Sequence, residues 1–303
     1  ETNYLIVIAG PTGVGKTNVA ITLAEWLDTE IISADSRQIY QELNIGTAKP
    51  GKNELNRVRH HFIHEISIEE SFTAADFERQ SLERLATIFA LRKFAIVAGG
   101  TGLYIDALCK GLDEIPTVDP KILERLEALM AAEGLERLKA MLIARDPVYA
   151  KSVDMHNPRR IIRALSVIEE TGTPFSSFLR KSDRVRPFEI IKILLEEERE
   201  TLYARIDQRV EDMLEAGLEN EVRSLEKFGS IPAMQTVGYQ EWVPYFKGDI
   251  SRGEAIRLIK RNSRRYAKRQ MTWFRRDQDC RGYKSDDIKS IKAYIAKITK
   301  SLL

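Results

Sequence analysis

Apolar positions along this chain follow two rhythms. Short unbroken apolar runs occur at YLIVIA (4–9), in EIISADS (30–36), in FAIVAGGTG (94–102) and in FEIIKILLE (188–196). Such runs read as strands covered on both faces, because a half-exposed strand would alternate apolar with polar. Between them the spacing is helical. The residues after GPTGVGKT predict a helix to about Leu27. TAADFERQSLERLATIFALRK (73–93) predicts another, opened by Thr73 and Asp76 as a capping box with Asp in place of Glu. Strands alternating with helices predict an α/β fold, a parallel sheet with helices on both faces. In such sheets ligands gather at the carboxyl ends of strands, and three of those ends carry GPTGVGKT, ADSRQ and GGTG.

The rhythm changes at IPTVDP (115–120). From Pro120 to about Lys181 the pattern is helical throughout, broken at Gly134, Pro147, Pro158 and TGTP (171–174). Strand character returns only at 188. This predicts a helical insertion at 116–187 within a core formed by 1–115 and 188–303. RETLYARIDQRVEDMLEAGLENEVRSLEKFG reads as two helices meeting at Gly217. A further helix opens at Ser251, where Ser251 and Glu254 form a capping box, and ends near TWFRR. A strand-like CRGY and a helix from about Ser285 follow. No apolar run approaches a membrane span. The chain enters a strand pattern within four residues, with no basic region or cleavage site of a signal peptide. Cys109 and Cys280 lie far apart with no C-x-x-C pair, which predicts neither disulfide nor zinc and suits a reducing cytoplasm.

Chemistry enters at the glycine loop. Gly10, Gly15, Lys16 and Thr17 fit G-x-x-x-x-G-K-[ST] between a predicted strand and helix, the context that confirms a phosphate-binding P-loop. Its backbone amides form an anion cradle, Lys16 adds a point charge, and Thr17 is placed to ligate Mg²⁺. The motif points strongly to phosphate and only weakly to ATP or another nucleotide. Asp35 is the one acid at a neighbouring strand end. It could hold magnesium through water, accept a proton, or cap the following turn. HHFIHE (60–65) has three histidines but no zinc-type partner motif, so packing or a polar pocket wall is the preferred reading. Net charge is only +2, yet Arg257 to Arg276 holds nine Arg or Lys and no acid, a candidate polyanion footprint. Tyr266, Trp273 and Phe274 in that block could stack on bases or, for the last two equally, pack inside. HNPRRIIRAL adds Arg159, Arg160 and Arg163, so two basic surfaces could grip one polyanion.

The ordered motifs GPTGVGKT, ADSRQIY, IGTAKP, HHFIHE, GGTGLYIDAL, NPRRIIRAL, GYQE and RRYAKRQMTWFR resemble the bacterial-type tRNA dimethylallyltransferase (tRNA isopentenyltransferase) family over nearly the whole chain. The resemblance implies a P-loop, nucleotide-kinase-like core with an all-helical insertion that contacts tRNA. It implies transfer of a dimethylallyl group from dimethylallyl diphosphate to N6 of the adenosine 3′-adjacent to the anticodon. By the same resemblance Gly10, Pro11, Thr12, Gly13, Val14, Gly15, Lys16 and Thr17 hold the diphosphate with Arg209, and Thr17 takes Mg²⁺. Asp35, Thr101, Lys16 and Arg209 are the implied catalytic set. Asp35, Ser36, Arg37, Gln38 and Thr101 face the target nucleotide. Arg159, Arg160 and Arg163, with Arg265, Lys268 and Arg269, touch the anticodon stem-loop. A monomer is expected. Arg37, where the family usually has Met, and Gln240, in GYQE for GYKE or GYRE, depart from the pattern. A relative acting on free AMP or ATP would need the core but not the basic surfaces. A P-loop kinase would want an acid after FAIVAGG, and a non-catalytic RNA binder would have no use for Lys16, Thr17 and Asp35 together.

Overall fold

The computed structural model describes residues 2–179, 183–229 and 231–300. The chain begins β1 (Tyr4–Ala9), α1 (Lys16–Trp26), β2 (Ile31–Ser33), α2 (Lys52–Arg57), β3 (His60–His61), α3 (Ala74–Phe89), β4 (Phe94–Gly99) and α4 (Gly102–Lys110). It continues through α5 (Pro120–Arg145), α6 (Pro147–Ala150) and α7 (Pro158–Thr171). It closes with β5 (Glu189–Leu195), α8 (Arg199–Glu215), α9 (Leu218–Ser224), α10 (Trp242–Phe246), α11 (Arg252–Phe274), β6 (Arg281–Tyr283) and α12 (Ile288–Thr299).

The six strands form one sheet in the order β3-β2-β4-β1-β5-β6, with every pairing parallel. β1 lies at the centre, Ala9 opposite Gly99 on one side and Leu194 on the other. Its residues alternate between two cores, as the period of two requires. Leu5, Val7 and Ala9 join Phe77, Leu85, Tyr104, Trp242 and Ile259 on one face. Ile6 and Ile8 join Val19, Leu23, Ile291 and Ile295 on the other. This is the doubly covered α/β sheet that the unbroken apolar runs predict. The second strand is shorter than its apolar run, because the chain turns away after Ser33 at Asp35, whose carboxylate binds the amide of Arg37.

The chain divides into two compact units, 1–110 with 185–303, and 111–184. Sequence spacing places the insertion at 116–187; the compact unit starts at Gly111, where the backbone has φ +81 after α4. In the smaller unit α5 is broken at Gly134, which takes φ 79, and packs on α7 around Leu126, Leu138, Leu142, Ile161 and Leu165, all fully buried. Buried Asp146 ties its loops by accepting from Ser176 N at 2.7 Å and from Tyr149 N at 3.0 Å. The expected end of the helical stretch, Lys181, lies outside the described residues. On the core side, Arg186 donates to the carbonyls of Leu108 and Ala107, both at 2.8 Å, and to Glu78 at 2.7 Å. It thereby fastens the returning chain to the last turn of α4. No helix among the described residues is long and apolar enough to cross a membrane.

Candidate active site

The parallel sheet brings the carboxyl ends of β1, β2 and β4 to one rim, and a cavity of about 680 Å³ opens there within the core unit. GPTGVGKT, ADSRQ and GGTG all reach it, joined by residues of α8, α11 and the loop 46–50.

The loop after β1 needs glycine twice for conformation: Gly13 and Gly15 take φ 82 and 99. Gly15 is the N-cap of α1, has no side chain to cap with, and no acid follows in the first turn. The helix N-terminus therefore presents its amides and dipole to an anion without internal competition. Lys16 Nζ donates to Pro11 O at 2.7 Å. Desolvation, then the charge of Arg209, pushes its pKa down to about 7, with Asp35 acting the other way. Arg209, on α8, donates to Thr12 Oγ1 at 3.1 Å. Burial lowers its pKa too, and Asp35 opposes. Two cations held close in a partly dry pocket are a poor arrangement alone and a good one around an anion. Pro11 and Val14 are buried and brace the loop rather than line the cavity, and Gly10 is packed against Leu195, whose carbonyl a Cβ there would meet at 2.9 Å.

Asp35 is divided between two tasks. Its Oδ1 accepts from the amides of Arg37 at 2.9 Å and Gln38 at 3.4 Å, the turn-capping role. Its Oδ2 accepts no hydrogen bond among the described residues, and the residue lines the cavity. Thr101 Oγ1 accepts from Ser36 N at 3.0 Å, so the GGTG turn and the Asp35 turn are locked together. Gln38 is a wall strut: it binds Ser33 Oγ and the carbonyls of Thr47 and Ala48. One side of the cavity is apolar, with Ile206, Val210, Met213, Val237 and Ile259, a surface able to exclude water from a hydrocarbon group.

No cluster of three metal-binding side chains exists among the described residues. Thr17 brings a hydroxyl oxygen to the cavity beside the anion cradle, which suits Mg²⁺, an ion that takes few protein ligands and relies on phosphate and water. In HHFIHE, His61 Nε2 pairs with Glu30 at 2.7 Å and His60 Nδ1 with Val58 O at 2.9 Å, while His60 also stands in the cavity wall.

The basic block needs correction. Its cations are not all uncompensated, because α11 packs beside α8. Arg264 meets Asp207 at 2.5 Å, Lys260 binds Glu211, Arg257 meets Glu254 at 2.6 Å and Arg275 meets Glu196 at 3.2 Å. Arg265, Lys268 and Arg269 are exposed and form no salt bridge among the described residues. Nor do Trp273 and Phe274 offer faces to bases: Phe274 is buried, and Trp273 packs on the core with its Nε1 donating to Asp106 at 2.8 Å. In the smaller unit Arg159, Arg160 and Arg163 are exposed on α7. Arg163 donates to Pro116 O at 3.4 Å.

Sequence reasoning misses three contributors. Glu221 accepts from the amides of Asn44, Ile45 and Gly46 and from Tyr239 Oη at 2.6 Å, fixing the IGTAKP loop. Tyr239 fills the space a Cβ on Gly46 would need, 2.4 Å from its ring. Gln270 joins the P-loop to the GGTG turn. The motifs IGTAKP, GYQE and RRYAKRQ contain or abut these partners, but only the fold shows who meets whom.

Comparison with known proteins is consistent from end to end. The chain is 47% identical over 292 residues to a tRNA dimethylallyltransferase of Cytophaga hutchinsonii, covering 96% of both chains. It is 47% identical over 283 residues to tRNA dimethylallyltransferase 2 of Porphyromonas gingivalis, covering 93% of this chain and 94% of that one. The crystal structure of the full-length tRNA isopentenylpyrophosphate transferase from Bacillus halodurans superposes with a TM-score of 0.72 at 36% identity, over 97% and 96% of the two chains. A eukaryotic dimethylallyltransferase acting on tRNA superposes with a TM-score of 0.83 at 26% identity, over all of this chain and 81% of that one. The family model for IPP transferase matches residues 38–277, and with these relatives it shows that the chain belongs to the IPP transferase family, the tRNA dimethylallyltransferases.

Proposed function

We propose that this chain transfers the dimethylallyl group of dimethylallyl diphosphate to the exocyclic N6 of the adenosine 3′-adjacent to the anticodon of tRNA, releasing diphosphate. The observation that carries the reading is one cavity in which an anion cradle with two cations, Lys16 and Arg209, shares space with Asp35 and Thr101. The C1–O bond to the diphosphate breaks, the C1–N6 bond forms, and the N6 proton passes to Asp35 Oδ2. Lys16, Arg209 and the amides at the start of α1 stabilise charge developing on the departing diphosphate. Asp35, held by its Oδ1 bonds to the amides of Arg37 and Gln38, orients the amine and takes its proton. Ser36, Arg37, Gln38 and Thr101 shape the side from which the base enters, extruded from its loop as chemistry on a base requires. Val210, Met213 and Ile259 shield the allyl group. Thr17 would hold Mg²⁺, which would supply charge neutralisation on the diphosphate.

Arg265, Lys268 and Arg269 on α11, and Arg159, Arg160 and Arg163 on α7, are the proposed partners of the phosphates of the anticodon stem-loop. The chain acts in this reading as a cytoplasmic monomer. The loop's nucleotide-binding pattern is here the diphosphate seat, and any ATP bound would compete for it. The test incubates the protein with labelled dimethylallyl diphosphate and Mg²⁺, adding tRNA, AMP, ATP or no acceptor in parallel. Label is expected in tRNA alone. Label in AMP but not tRNA would overturn the reading in favour of a free-nucleotide prenyltransferase.

A further inference from the structure

We infer that Gln270 is a positioning residue that sets the diphosphate loop from the RNA-facing helix, an inference resting on the loop's reading as a diphosphate seat. Gln270 lies on α11 and is 6% exposed. Its Oε1 accepts from Thr12 N at 2.9 Å, and its Nε2 donates to Gly100 O at 2.9 Å. One amide thus spans the gap between GPTGVGKT and GGTG and uses both ends.

The Pro11–Thr12 peptide is fixed at both ends, since its carbonyl, Pro11 O, accepts from Lys16 Nζ at 2.7 Å and Gln270 takes up the amide of Thr12. The same residue's hydroxyl accepts from Arg209, so Thr12 is held from its backbone by α11 and from its side chain by α8. The arrangement also requires a glycine. A Cβ on Gly100 would lie 2.1 Å from Gln270 Nε2, too near to coexist with the amide where it stands. Gln270 moreover follows directly after Lys268 and Arg269, which are exposed. Lys268 lies outside the cavity, whereas Arg269 and Tyr266, one turn before Gln270, line it beside the amide. RNA phosphates settling on α11 therefore press on a helix whose inner face holds the loop in place. Asparagine, one methylene shorter, cannot reach both Thr12 and Gly100.

The experiment measures binding of a non-reactive thiolo analogue of dimethylallyl diphosphate to the full-length protein, alongside steady-state kinetics with tRNA. Gln270→Ala is expected to weaken the analogue about tenfold, the scale of one well-placed hydrogen bond, while the KM for tRNA moves less than about twofold. Gly100→Ala, which displaces the amide without removing it, should reproduce that loss. The double variant should be no worse than either single change, because both break one link. Gln270→Glu keeps an acceptor for Thr12 but lacks the donor to Gly100 and adds charge beside the anion seat, so it should bind the analogue more weakly than Ala does. It also serves if the Ala variant does not fold, judged by thermal melting. A raised KM for tRNA with analogue affinity intact would make Gln270 an RNA-binding residue and overturn the inference. So would additive losses in the double variant. Lys16→Ala separates the two levels of the reading. If it weakens the analogue while Gln270→Ala does not, only the strut falls; if Lys16→Ala has no effect, the diphosphate seat itself falls.

Discussion

Lys16 is the residue whose environment most directly constrains the reaction. Burial and the Arg209 guanidinium hold its pKa at about 7. A diphosphate beside it favours the ammonium, so the bound lysine is protonated whatever its state before. Below about pH 7 the free lysine is already charged and adds no pH dependence of its own to binding of the anion. Above that value each binding event must take up a proton, and the Kd of a prenyl diphosphate analogue should rise by up to about tenfold per pH unit. Titration calorimetry in two buffers of different ionisation enthalpy would register the uptake, and Lys16→Met should abolish it; a wild-type Kd flat to about pH 9 would contradict the assignment. Asp35 allows a cleaner separation of structure from chemistry. Asp35→Asn keeps an Oδ1 for the amides of Arg37 and Gln38 but cannot take a proton. Turnover should fall about 10²- to 10⁴-fold with tRNA affinity retained, and survival within about tenfold, ~1.4 kcal/mol of barrier, would remove Asp35 as the base. Both residues are readable in sequence because a fixed motif and a strand end announce them. Gln270 is not, because its partners Thr12 and Gly100 stand 258 and 170 positions away.

At the level of elements, α11 explains why counting charges along a chain overstates a basic surface. Four of its cations, or those just past its end, meet acids on α8, on its own first turn or beyond β5. Helix periodicity shows which residues share a face, but not that Asp207 and Glu211 lie on the neighbouring helix. The prediction follows the distinction. Replacing Arg265, Lys268 and Arg269 by Ala should lower the salt dependence of tRNA binding by about two in a double-logarithmic plot, at roughly 0.7 to 0.9 for each phosphate no longer neutralised. Arg264→Ala, which removes a cation already paired with Asp207, should leave that slope nearly unchanged. Equal effects of the two would sink the assignment. Helix α7 offers a second test of the same kind. Arg159 and Arg160 stand in its first turn with no acid there, where the dipole disfavours cations by about 0.3–1 kcal/mol. Replacing both by Ala should raise or preserve thermal stability while weakening tRNA binding; a fall in both would make them structural.

Across the whole molecule, the parallel sheet decides where chemistry can occur and what must be stabilised elsewhere. It gathers three loops at one rim, as the alternation of apolar runs and helices predicts. Away from that rim it buries Lys192 of β5, which meets Asp277 at 2.7 Å, with Asp279 at 3.6 Å and exposed. The Lys192 ammonium holds the Asp277 carboxyl below its usual range, and Asp277 in turn raises Lys192. The carboxylate's contribution is present above the pKa of an unfolded Asp and is lost as pH falls through the lowered value. The lysine's contribution is full below its unfolded pKa and is lost above the raised one. Stability from this pair is therefore flat across neutral pH and falls in acid. Asp277→Ala should cost about 3–5 kcal/mol by leaving a buried ammonium, read as a lower denaturant midpoint at neutral pH. A change within about 0.5 kcal/mol would show that Lys192 finds other partners. None of this is legible from spacing, since a lysine inside FEIIKILLE looks like an interruption of the strand rather than half of a pair.

The way residues 111–184 join the core has a consequence for how such a protein can vary. The chain leaves at Lys110 and returns at Val185, with Arg186 clasping the carbonyls of Ala107 and Leu108, while Gly111 and Arg184 run so close that a Cβ on the glycine would meet the arginine at 2.7 Å. Both passages occupy one spot, as the two legs of a hairpin do. Closing that spot with a short turn, or grafting a helical unit of another length, changes little in the entropy of joining the ends. The unit is thus inserted through a single stem, and a shorter link in its place would add little entropic cost to the sheet and its rim.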